Sequence, residues 1–63
     1  MNRYKIAIEL LKVEKFLYIC KAHKIHIVSA SCNNGMFYIL YEHDHEILPQ
    51  NVHKMYLDCF KKG

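Results

Sequence analysis

The tightest constraint on the fold is Asn34-Gly35, set between two strand-like runs that together span Ile25 to Glu42. Asn and Gly tolerate the positive φ that both central positions of a type I′ turn require, and that turn matches the right-handed twist of two paired strands. The stretch therefore reads as a β-hairpin. With Asn34 and Gly35 alone as the loop, Asn33 faces Met36, Cys32 faces Phe37, Ala30 faces Ile39 and Val28 faces Tyr41, since cross-strand partners share a face. One face is then apolar throughout, and the other carries Ile27, Ser29, Ser31, Tyr38, Leu40 and Glu42. A three-residue loop that includes Asn33 pairs Cys32 with Met36 and Ser31 with Phe37. It sorts polarity less cleanly, so the two-residue register is the expectation.

The return run, Met36 to Tyr41, is apolar on both faces, as befits a central strand with a neighbour on each side. A third strand is wanted, and the first residues offer it ambiguously. Tyr4, Ile6, Ile8 and Leu10 alternate with Lys5, Ala7 and Glu9 at the period of a half-buried strand. Over the same letters, Ile6, Leu10, Val13, Leu17 and Cys20 recur at spacings of three and four, the stripe of one long helix capped by Asn2. The absence of turn residues from Arg3 to Val28 favours the helix, and the need for a third strand favours the alternation.

The expectation taken forward is an α/β (α+β) domain in the order β-α-β-β-α, a three-stranded sheet with two helices. Its strand is Arg3 to Leu11, and its helix runs from about Lys12 to His23 with Val13, Phe16, Leu17 and Cys20 inward and Tyr18 and Ile19 outward. The crossover rule sets the first two strands parallel with the hairpin's return strand between them, and the arrangement resembles a split ferredoxin-like unit lacking its last strand. The alternative is α-β-β-α with one long N-terminal helix. In either case a closing helix follows. Pro49 fits its first turn, Val52, Met55, Tyr56, Cys59 and Phe60 form an inward stripe, Leu57 points out, and Lys61 and Lys62 suit the negative end of its dipole before Gly63.

At 63 residues the chain holds one domain, residues 1–63. A domain of this size buries only about 60% of its unfolded surface, so its stability is marginal. Hydrophobic residues make up 52% of the chain, more than so small a core hides, which points to a homodimer or an obligate partner. No signal peptide or membrane span is expected, because Lys5, Glu9 and Lys12 interrupt the apolar pattern. Cys20, Cys32 and Cys59 are widely spaced and fall on faces assigned to the core, so a cytoplasmic setting with reduced thiols is expected.

The chemistry-bearing residues do not assemble into a catalytic kit. A cysteine with a histidine is the one available nucleophile and base, but core thiols are inert and so short a chain offers little concavity, so the expectation is no enzyme and no cofactor. No Cys-x-x-Cys pair is present. The remaining weak metal candidates are His43 and His45, alternate residues that project to one side of an extended segment beside Asp44 and Glu46.

Net charge is a mild +3, which permits nucleic-acid contact without demanding it. The expected outer sheet face of Lys5, Ala7, Glu9, Ser29, Ser31, Tyr38, Leu40 and Glu42 carries one aromatic and two carboxylates, a poor stacking platform. The same face suits a protein. Small Ser29 and Ser31 beside Tyr38 and Leu40 form a flat, partly apolar patch, Tyr18 adds apolar surface on the first helix, and the hairpin's outer strand offers unpaired backbone groups. A protein-binding module is therefore expected, an inhibitor, adaptor or assembly factor acting as a homodimer, with a nucleic-acid-binding regulator as the alternative. The richness in Lys, Ile, Tyr and Asn is associated with AT-rich genomes, and a compact domain without catalytic residues is typical of phage and mobile-element products.

Overall fold

The computed structural model describes residues 1–61 and has the order β-α-β-β-α. Strand β1 (Asn2–Glu9) leads directly into helix α1 (Leu10–His23), the hairpin strands are β2 (His26–Asn33) and β3 (Met36–His43), and one 3-10 turn (Pro49–Asn51) runs into helix α2 (Val52–Asp58). The sheet order is β1-β3-β2 and both neighbours run antiparallel to β3, so β1 and β2 are parallel edge strands around a central return strand. The alternation at the N-terminus thus prevails over the helical stripe. The strand is shorter than expected, because Leu10 and Leu11 form the exposed first turn of α1. No turn residue is needed at the join: Glu9 is extended (φ −68°, ψ 153°) and helical backbone begins at the next residue.

The turn is as read. Asn34 and Gly35 have φ of 52° and 76°, and Asn33–Met36, Cys32–Phe37 and Ala30–Ile39 are opposite one another. The expected Val28–Tyr41 pair is not formed. A bulge between Ile27 and Ser29 slips the register, and Ile27 takes the place opposite Tyr41. The extra residue restores parity in favour of packing: Ile27 packs against the core, whereas the uninterrupted register would turn it to the outer face.

The core lies between the inner face of β1 and β3 and the two helices. Tyr4–Tyr41, Ile6–Ile39 and Ile8–Phe37 pair across the strands, and Ile6, Ile8, Ile39 and Tyr41 are buried. Phe16, Ile19 and Cys20 cover them from α1, and Val52 from α2. Here α1 differs from expectation. Ile19 is fully buried and Leu17 is 47% exposed, so the inward stripe is rotated by about half a residue's turn, roughly 50° at about 100° per residue. Helix α2 packs against α1 as well as closing the core.

Further along, Phe60 lies past the end of α2 and is 54% exposed rather than inward. The α2 backbone continues in short i→i+3 bonds to Lys61, whose Nζ lies 3.3 Å from Asp58. The expectations for Lys62 and Gly63 fall outside the described residues.

The largest departure concerns β2. Its residues from Val28 to Asn33 are exposed on both faces, because α1 packs over β1 and β3 and stops short of the hairpin's outer strand. Ala30 and Cys32, expected in the core, are therefore at the surface.

Candidate functional site

Four of the five expected contact residues come together. Ser29 and Ser31 on β2 and Tyr38 and Leu40 on β3 line one shallow depression of about 370 Å³ on the helix-free face, joined by Lys5 of β1 and Asn33. The pairing explains the assembly: Lys5 stands opposite Leu40, Leu40 opposite Ser29, and Tyr38 opposite Ser31, so all point the same way from a single pleat. Small hydroxyl residues on one side and larger, half-apolar ones on the other give the face its slope. Asn33 belongs to the rim through the same alternation that places Ser29 and Ser31 there.

Charge on this face is largely neutralised. Arg3 donates to the carboxylate of Glu42 through Nη2 (3.0 Å) and Nε (3.3 Å), which leaves Lys5 as the cation lining the depression.

Tyr18, the fifth expected residue, lies on the opposite side of the molecule. Its ring stacks on Phe60 (5.1 Å between centroids) and meets Tyr56 edge-on (5.7 Å). Lys15 closes this second cluster, with Nζ 3.0 Å from His53 Nδ1 and 5.8 Å from the Tyr56 ring. The α1–α2 packing thus gives these aromatics partners within the chain, which sequence spacing alone did not show.

His43 and His45 lie edge to face with centroids 6.2 Å apart, and no group of three or more His, Cys, Asp or Glu side chains converges as a ligand set among the described residues. A metal role through this pair requires stoichiometric zinc to co-purify and to be lost when both are changed to alanine. The thiol best shielded from solvent, Cys20, has its pKa pushed up by burial to about 11, so it stays protonated and unreactive near neutrality. Cys32 is exposed and Cys59 half-buried, its Sγ donating to the Met55 carbonyl at 3.2 Å.

No helix among the described residues is long and apolar enough to cross a membrane. Comparison with protein-family models, with curated proteins and with solved structures finds no match for this chain.

Proposed function

We propose that the protein is a small protein-binding module, an inhibitor, adaptor or assembly factor of the cytosol rather than an enzyme, and that it works through the helix-free side of the hairpin. The observation that carries this reading is the continuity of the Ser29, Ser31, Tyr38 and Leu40 depression with β2, an edge strand exposed on both faces. A strand added to such an edge gains main-chain hydrogen bonds, and the adjoining depression on the face of the sheet offers a separate seat for a partner's side chains.

A nucleic-acid regulator ranks second. It shares Tyr38 and Lys5, but Arg3 is engaged by Glu42, and a single lysine beside a single ring makes a weak phosphate track.

The two readings separate on salt and on one side chain. Capture from a lysate by the immobilised protein is expected to persist from about 50 to about 200 mM salt and to yield protein, whereas phosphate-driven binding falls steeply over that range. Leu40→Asp, and independently Ser29→Arg, are expected to abolish capture while the domain stays folded, because both residues lie off the buried core. Capture unaffected by either change would place the working surface elsewhere.

A further inference from the structure

We propose that β2 pairs antiparallel with β2 of a second copy of this chain about a two-fold axis at Ser31, joining two sheets in the order β1-β3-β2-β2-β3-β1. The inference rests on the reading of the hairpin's open side as a protein-binding surface, and it names the partner of the edge.

The two edges of the sheet are guarded very differently. β1 carries Arg3, Lys5 and Glu9, and charge is a common means of keeping strands from adding to an edge. β2 has no Lys, Arg, Asp, Glu or Pro along its length, is eight residues long and has no helix over Val28 to Asn33. Nothing repels or obstructs an approaching strand there, and a copy brings the same uncharged surface. Two-fold pairing also consumes both open edges and leaves only the guarded β1 edges outside, so the assembly closes at two chains.

The axis follows from the hydrogen-bond alternation. In a hairpin closed by a two-residue loop the flanking pair, Asn33 and Met36, exchanges backbone bonds, and bonded and non-bonded pairs alternate from there. Asn33, Ser31 and Ser29 therefore direct their N–H and C=O groups to β3, while Cys32 and Ala30 direct theirs outward. Centred on Ser31, Ala30 of each copy meets Cys32 of the other as a pair exchanging both backbone bonds, so the outward groups are satisfied. Side chains sort as well: Ala30 and Cys32 meet on the helix-bearing side, while Ser31 meets Ser31 and Ser29 meets Asn33 on the other. An axis at Ala30 instead sets Ile27 against Asn33 and runs the ladder into the bulge at Val28, and an axis between residues opposes outward groups to inward ones.

The test reads mass and register together. Light scattering of the purified chain is expected to give twice the chain mass, and Ser31→Lys, which sets two ammonium groups face to face, to return it to one chain with the far-ultraviolet spectrum retained. In a Cys32→Ser, Cys59→Ser background, Ser31→Cys is expected to oxidise to a linked dimer, because facing non-bonded residues stand about 4.5 Å apart, within disulfide reach. In the unaltered chain Cys32 faces its copy only diagonally, at about 7–8 Å, and is expected not to link. A single-chain mass at every concentration, a dimer that Ser31→Lys leaves intact, or Cys32 linking as fast as Ser31→Cys overturns the pairing. Leu40→Asp distinguishes this proposal from the reading beneath it: it removes capture of any further protein but leaves the Ser31→Cys cross-link, since Leu40 is on β3 away from the edge.

Discussion

Tyr41 is the residue on which the core and the non-regular segment between β3 and α2 meet. Its ring is fully buried edge-on to Phe16 (5.7 Å) and beside Tyr4 (5.8 Å), and its hydroxyl accepts from the Ile47 N–H at 2.7 Å while facing the Ile47 carbonyl at 3.4 Å. Ile47 is thereby held in the core, and with it the segment that carries the chain from β3 to α2. Tyr41→Phe leaves the ring packing but strands a buried N–H, at an expected cost of about 1–3 kcal/mol in urea unfolding; an unchanged midpoint contradicts this. Alternation placed the Tyr41 ring inward correctly. It gave no sign of Ile47, because a hydroxyl that bonds a backbone group six residues on leaves no periodic trace.

The same neighbourhood fixes an alkaline limit. Burial raises the pKa of Cys20 from 9.0 to about 11 and that of Tyr41 above 10.0, the latter opposed by the Ile47 hydrogen bond. Each folded-state value lies above the unfolded one, so the stability conferred is complete below the unfolded pKa and is lost as pH rises through the folded one. Cys20 alone accounts for a loss of order 2 kcal/mol between about pH 8 and about pH 11. Cys20→Ala is expected to flatten that part of the profile, and a slope identical in the variant refutes the assignment.

At the scale of elements, the legible parts were those with local chemistry. The Asn34-Gly35 turn needs nothing beyond its own two residues, and the register near it followed. Further away, the Val28 bulge decides which residue faces Tyr41, and the choice depends on where the core ends, which no local pattern encodes. The phase of α1 is not legible for a related reason: Leu17 and Ile19 are equally apolar, and only the tertiary packing, which buries Ile19 and leaves Leu17 exposed, tells them apart.

The end of α1 carries a conformational cost that a substitution can relieve. Lys24 adopts φ 56°, ψ 42°, and the N–H of Ile25 closes the helix on the Cys20 carbonyl at 2.9 Å. A left-handed conformation costs a β-carbon-bearing residue about 1–2 kcal/mol, partly offset because glycine loses more entropy on folding. Lys24→Gly is therefore expected to raise the unfolding midpoint by the equivalent of about 0.5–1 kcal/mol. A lowered midpoint would show that the lysine side chain contributes more than its backbone costs.

Across the whole molecule, two short helices cover one face of a sheet that is wider than they are. Everything over β1 and β3 is core, and everything on β2 beyond Ile27 is surface. Sequence polarity alone assigned Ala30 and Cys32 to the interior because it reports what a face is suited to, not how far the covering layer extends. The same small, uncharged side chains suit that strand to lie against another chain; on the outer face Ser29, Ser31, Tyr38 and Leu40 gather, while Ile27, expected beside them, turns to the core at the bulge.

Binding at the β2 edge is tested by residue-resolved amide hydrogen exchange along β2 at rising protein concentration. With β2 as the binding edge, the Ser29 and Ser31 amides are expected to be protected throughout, whereas those of Ala30 and Cys32 exchange rapidly in dilute solution and become protected as chains associate. Rapid exchange at Ala30 and Cys32 at every concentration, and in the presence of any protein the chain captures, would contradict the claim that this strand edge is where the protein binds.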